Sequence, residues 1–370
     1  MGLAKFFGRS RTAAHTARRS PENEQVWFRR RLRKTVVCAA VLPLAMLCFG
    51  AANRLDGPTE DNGPALNPEQ IASFTGPGDF QYQLPRGVDI TLDIIAGKAD
   101  PSRKKPGIEL PVAAVTDAQD RLLVADAGAR AIVIFDFARR KYSEVELAKS
   151  GVRSIAGLAV DDKGDIFVTD SRQGRVFRFD SKGNFLGYLQ PSRDVEAYYV
   201  TPMGIAIDQQ RGYIYVCDWG RNMVVKLDRS GKALAVLGVR GGGSGPGEFK
   251  RPTQVAVVNG DLFVLDAGNK RIQRFDTDGK YLSEIRAPEG AGLAVDRWQR
   301  ILLSQPSLHR IAVLSQDGRL LATFKNGADD RFDPSNLWLK SEHCLYVTDK
   351  ANKSVELFRV GGNPEKSCYE

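Results

Sequence analysis

Five aspartates recur at near-regular spacing along this chain of 370 residues: Asp126, Asp170, Asp218, Asp266 and Asp349. Gln305 takes the remaining slot, and successive members lie 44, 48, 48, 39 and 44 residues apart. Carboxylates repeated in this way suit two chemistries. Oxygens converging on one point can hold a hard cation such as calcium and support hydrolysis. Alternatively, each carboxylate caps its own turn or pairs with the basic residue that opens the next strand. The structural role is favoured, because a metal site needs acidic residues that break the repeat symmetry and none stands out. No catalytic residue, metal ligand or cofactor is therefore assigned.

Other chemistry is thinly supplied. The three histidines are His15, His309 and His343, too few for a His-rich zinc site. CxxC, CxxCH, HExxH, GxSxG and P-loop patterns are absent, so haem, structural zinc and the common hydrolase and nucleotide sites lack support. The glycine-rich stretch at 241–252, GGGSGPGEFKRP, lacks the GK[ST] ending of a phosphate loop and reads as a connector. Cys217 lies within an apolar strand and reads as a small buried residue, whereas Cys344 and Cys368 could pair if the tail folds back.

The elements that would position the aspartates are short strands. Each aspartate closes one alternating run, a small turn follows, and a second run opens, as in DLFVLDAGNKRIQRFD at 261–276. An apolar strand precedes each hairpin and a fourth follows most of them. Six units of four strands predict an all-β, six-bladed β-propeller over residues 71–362. The last unit shows only three strands before the chain stops. DITLDIIAG at 89–97 has the pattern of a fourth, so a closing strand near 89–97 is expected to pair with Ser354–Val360.

PMGIAID followed by YIYVCDWGRN, and PTQVAVV followed by LFVLDAGNKRIQRF, resemble the blades of the NHL-repeat family. The resemblance spans about Val88–Val360 and implies a six-bladed ring serving as a platform for proteins and, in some members, for RNA. Amidating lyases also use such propellers, but the histidine count argues against a resemblance to them. Propeller lactonases, with a calcium-type site at the channel mouth, supply the alternative reading of a metal-dependent hydrolase.

The net charge of +9 is not spread along the chain, since residues 1–34 hold ten Lys/Arg against two Glu. That basic segment precedes eighteen uncharged residues, TVVCAAVLPLAMLCFGAA at 35–52, long enough to span a hydrocarbon core. A single-pass signal anchor is expected, with the N-terminus cytoplasmic and the propeller outside. A signal peptide cleaved to release a secreted protein is the alternative. Residues 53–70, rich in Pro, Gly, Asn and acid, read as a flexible linker, and 363–370 as a tail.

Function is expected on the face holding the aspartate turns. Arg172, Arg175, Lys270 and Arg271 fall there, with Lys98, Arg103, Lys104, Lys105, Arg240, Lys250 and Arg251 on connectors. Trp219 occupies a slot that is Ala or Ser in other copies, and Tyr198, Tyr199 and Arg221 fall beside it. These are the residue types enriched at binding hot spots. A non-catalytic scaffold for another envelope protein or an anionic polysaccharide is the expected function, and nucleic acid is disfavoured outside the cytoplasm.

Overall fold

The structure, a computed structural model, describes residues 68–75, 81–82, 107–139, 141–189, 198–326, 330–341, 343–360 and 368. The chain divides into two compact units, Met1–Leu55 and Asp56–Glu370, and the first lies wholly outside the described residues. The expected membrane segment at 35–52 falls there too. Among the described residues no helix is long and apolar enough to cross a membrane.

Two strands come first, β1 (Pro68–Phe74) and β2 (Gln81–Tyr82). Blade one is β3 (Pro111–Thr116), β4 (Leu122–Asp126), β5 (Ala131–Asp136) and β6 (Lys141–Glu146). Blade two is β7 (Ile155–Val160), β8 (Ile166–Asp170), β9 (Arg175–Phe179) and β10 (Phe185–Tyr188). Blade three is β11 (Pro202–Asp208), β12 (Tyr213–Asp218), β13 (Met223–Leu227) and β14 (Ala233–Leu237). Blade four is β15 (Pro252–Val258), β16 (Asp261–Asp266), β17 (Arg271–Phe275) and β18 (Tyr281–Arg286). Blade five is β19 (Leu293–Val295), β20 (Ile301–Gln305), β21 (Arg310–Leu314) and β22 (Leu320–Phe324). Blade six is β23 (Pro334–Ser341), β24 (Cys344–Asp349) and β25 (Ser354–Val360), completed by β1 and β2.

Each blade is an antiparallel meander whose sequence explains its burial. Second strands such as LLVAD and IFVTD are continuous apolar runs and are buried throughout, whereas the outer strand KYSEVE alternates and stays partly wet. The described residues form six hydrophobic clusters, one at each junction between neighbouring blades. A ring of blades is what lets every sheet bury both faces.

The expected closing strand at 89–97 is corrected. The strand that pairs with β25 is β1, in a register from Pro68 opposite Val360 to Phe74 opposite Val355, and residues 89–97 lie outside the described residues. The end of the segment expected to be a flexible linker, 68–70, is therefore strand. Side-chain fit explains the choice. Ile71, Ala72 and Phe74 enter the core between blades six and one, and Gln70 and Ser73 reach the buried Glu356. Corresponding positions on the third strands of the other blades are Val133, Phe177, Val225, Gln273 and Ala312, so a carboxylate in this slot is particular to the closure.

Gln70 Nε2 donates to Glu356 Oε2 at 2.5 Å, and the Ser73 and Ser354 hydroxyls donate to its Oε1 at 2.8 and 2.5 Å. Burial is the largest influence on this carboxyl and pushes it above the ordinary range; Asp349 adds to the rise and the three hydrogen bonds oppose it. A folded-state value above the unfolded one gives stability that is full below about pH 4 and lost as pH rises through the folded value. Glu356→Gln is therefore expected to raise the neutral-pH melting temperature by about 2–4 °C and to lose that gain near pH 4. Melts across this range test it, and parallel profiles for the two proteins would show that the charge is held without cost.

The pairing of Cys344 and Cys368, left open by the sequence, is present as a disulfide closing a separation of 24 residues. A cross-link of this span contributes about 2–4 kcal/mol by restricting the unfolded chain. Cys368 joins the same apolar cluster as Phe74, so the disulfide lies at the ring closure. Cys217 is free and buried.

Candidate functional site

The recurring aspartates are stitches. Asp218 accepts from the Val200 and Thr201 N–H groups of the incoming connector at 2.7 and 2.9 Å, and from the Gly220 and Arg221 N–H groups of its own turn at 3.0 and 3.2 Å. Asp126 bonds Glu109, Leu110, Gly128 and Ala129 in the same way. Asp170 takes N–H groups of Arg153, Arg172 and Gln173, and Asp349 those of Asp333, Ala351 and Asn352. At Asp266 side chains share the task, with Asn269 and Arg271 donating to it. In blade five Gln305 does the work with reversed polarity, its amide N–H donating to the Pro288 carbonyl while its Oε1 accepts from Arg310. All five carboxylates are buried and their oxygens are occupied.

The turns they stitch fix what projects from this face. The last turn residue takes a left-handed conformation in every blade, at Arg130, Gly174, Asn222, Lys270, His309 and Lys353. Arg130 and Lys270 are exposed in consequence, as is Arg172. β1 starts, and β25 ends, at the opposite rim, so neither crosses the face carrying the stitches.

The structure divides the expected binding residues. Tyr198 and Trp219 are 41 % and 38 % exposed. Trp219 N–H donates to the Thr201 carbonyl at 3.0 Å, which seats it against the connector. The Arg221 guanidinium lies 4.3 Å from the Tyr198 ring centre and donates to the Tyr198 carbonyl at 3.0 Å. The sequence had placed Arg251 only among the connector cations, but its guanidinium sits 5.2 Å from the centre of the Trp219 ring. Val200, on the connector into blade three, and Val239, on the connector into blade four, are also exposed. The signal for Val200 was its place beside the stitched Thr201.

Three expectations are corrected. Tyr199 is buried in the core between blades two and three and cannot meet a partner directly; burial drives its phenol far above the ordinary range. Arg271 is buried as well, holding Asp266, Glu284 and the carbonyls of Ser244, Gly245 and Glu248. It is the pin of the 238–251 connector. Arg175 is half-buried, with its guanidinium over the Tyr188 ring at 4.6 Å, at the outer strand of blade two. Lys98, Arg103, Lys104 and Lys105 lie outside the described residues.

Among the described residues no group of three or more His, Cys, Asp or Glu is arranged to hold a metal ion. The central channel, walled by β3, β7, β11, β15, β19 and β23, is lined by uncharged side chains.

Six meander blades, five of four strands and one of five, stitched by a buried aspartate in five blades and by Gln305 in the other, define a six-bladed β-propeller. Family comparison agrees, with a family described as a 6-bladed beta-propeller matching residues 207–294 and the NHL repeat matching residues 153–179. The chain is a six-bladed propeller that carries an NHL repeat at residues 153–179.

Sequence relatives include the peptidylglycine alpha-amidating monooxygenase of Rattus norvegicus, 32% identical over 142 residues, 35% of this chain and 14% of that protein. A probable peptidyl-alpha-hydroxyglycine alpha-amidating lyase of Caenorhabditis elegans is 27% identical over 126 residues, 32% of this chain and 36% of that one. This chain thus spans a minor part of the curated relatives it matches. The inference from histidine count against such a resemblance is overturned at the level of sequence relatedness. A streptogramin B lyase structure superposes with a TM-score of 0.52 at 16% identity, covering 68% of this chain and 94% of that one. Kuenenia stuttgartiensis hydrazine synthase does so at 0.51 and 12%, covering 76% and 100%. These two likenesses concern the fold.

Proposed function

We propose that this propeller is a non-catalytic recognition scaffold, tethered to a membrane through residues 35–52 and displayed outside the cytoplasm. Its partner, an envelope protein or an anionic glycan, is taken on the face of the aspartate stitches. The observation that carries this reading is the corner of Tyr198, Val200, Trp219, Arg221 and Arg251, where exposed aromatic and apolar groups sit among guanidinium groups. Such a combination matches the composition of interface cores. The disulfide supports an oxidising compartment.

A photoreactive phenylalanine analogue at Val200, activated in intact cells, tests the reading. Discrete adducts are expected, lost when Trp219→Ala and Arg251→Ala are added, with the melting temperature within about 2 °C of the parent, as for surface substitutions. If the double substitution lowers the melting temperature and leaves the adducts unchanged, the corner is packing and the proposal fails.

A metal-dependent hydrolase or lyase is the second reading, favoured by the match to amidating enzymes. Stoichiometric calcium or zinc retained by the purified protein after dialysis against metal-free buffer would put it first.

A further inference from the structure

The inner strands of the six blades align residue for residue, and the places where one blade departs from the others cluster in the channel. One layer below the stitched face, the inner strands carry Ala113, Gly157, Gly204 and Gly292, but Gln254 in blade four and Asn336 in blade six. The second layer beyond is Val115, Ala159, Ala206, Ala256 and Ala294, but Trp338 in blade six. Gln254, Asn336 and Trp338 all line the channel. A repeat that keeps small residues in five or four of its copies and places two carboxamides and an indole in the rest has made one off-centre polar wall.

We propose that the central channel is a binding site for a small, planar, uncharged ring compound, held against Trp338 and hydrogen-bonded by the Gln254 and Asn336 carboxamides.

Three observations define the ligand. First, the cavity is about 160 Å³, close to the roughly 150 Å³ at which an apolar protein cavity takes up benzene. Second, its lining holds no Asp, Glu, Lys, Arg or His, so a charged ligand would lose its water without gaining a counter-ion. Third, the polar groups are free to act. Among the described residues neither the Gln254 nor the Asn336 carboxamide has a hydrogen-bond partner, and both residues are only partly buried.

The surroundings hold these groups in place. A Cβ at Gly204 would lie 2.6 Å from Gln254 Oε1, so the missing side chain of blade three makes the room the carboxamide of blade four occupies. Trp338 Nε1 donates to Thr116 Oγ1 at 3.0 Å, which fixes the indole plane and leaves its hydrogen-bonding edge satisfied. The indole offers stacking and the two amides offer polarity.

Benzamide, a neutral ring whose amide complements both carboxamides, is the probe, with benzoate as its charged counterpart. Saturation-transfer NMR and calorimetry on the full-length chain are expected to show saturable benzamide binding and none of benzoate. Gln254→Gly and Asn336→Gly install the residue other blades already carry, and each should weaken binding about tenfold, the loss of one hydrogen bond. Ala256→Leu and, as a second occluding variant, Ala206→Leu should abolish it. Trp219→Ala, outside the channel, should leave it unchanged, which separates this site from the partner face. No benzamide binding to the parent, equal binding of benzoate, or full affinity in both glycine variants or in a folded leucine variant would overturn the proposal.

Discussion

Removal of residues 68–74 is expected to abolish the cooperative melt of the propeller or convert it to oligomers. The deletion takes away the main-chain pairing with β25 and withdraws Ile71 and Phe74 from the core between blades six and one. Each of those side chains contributes about 1.5–3 kcal/mol by burial alone, a substantial share of a total stability of roughly 5–15 kcal/mol. It also strands Glu356, a buried carboxylate, without Gln70 and Ser73. The exposed edge of β25 would then seek another strand. Light scattering after gel filtration, together with a thermal melt, checks this; a monomer with the parent melting temperature would show that the ring does not depend on β1. Phe74→Ala, at about 3–5 kcal/mol for a buried aromatic, is the milder version of the same experiment.

Asp218→Ala should be among the most damaging single substitutions on the stitched face. It leaves four backbone N–H groups without their acceptor at a site that is 0% exposed. With each unsatisfied donor costing on the order of 1–3 kcal/mol and water reaching some of them after relaxation, the expected loss is about 3–5 kcal/mol. That corresponds to a melting temperature lower by about 10 °C. Circular-dichroism melts measure it, and a loss below about 1 kcal/mol would mean that the turn holds itself.

Acid should weaken the Asp170 stitch, in the direction opposite to the response of Glu356. Burial pushes the Asp170 carboxyl up, but hydrogen bonds from Arg153, Gln173 and Ser154 outweigh it and hold the group below its ordinary range. A depressed folded-state value gives stability that is present above the unfolded value, about 3.9, and lost as pH falls through the folded one.

The repeat was legible because propeller blades write their structure locally. Alternation, the aspartate, the turn and the next basic residue all fall within about fifteen positions, as at 261–276, and each blade restates them. The closing strand was not legible. PEQIASF has weaker β character than DITLDIIAG, and its claim to the slot rests on Phe74 filling a junction and on Gln70 and Ser73 meeting a carboxylate more than 280 residues away. The proposed partner site was legible in part. An unusual Trp219 stood out within its repeat, but alternation along a connector could not say that Tyr198 faces solvent while Tyr199 turns into the core.

What the sequence by itself determined is the set of interactions made between near neighbours: blade number, strand order, the aspartate slot and the turns. Tertiary structure decided everything that depends on groups meeting across the ring. It set which strand closes blade six, which arginine becomes a buried pin at Arg271 and which stacks on Trp219 at Arg251, and which departures from the repeat face one channel. The physical reason is range. Backbone geometry and turn chemistry act over a few residues, whereas burial and hydrogen-bond satisfaction are settled only when distant strands have been brought together.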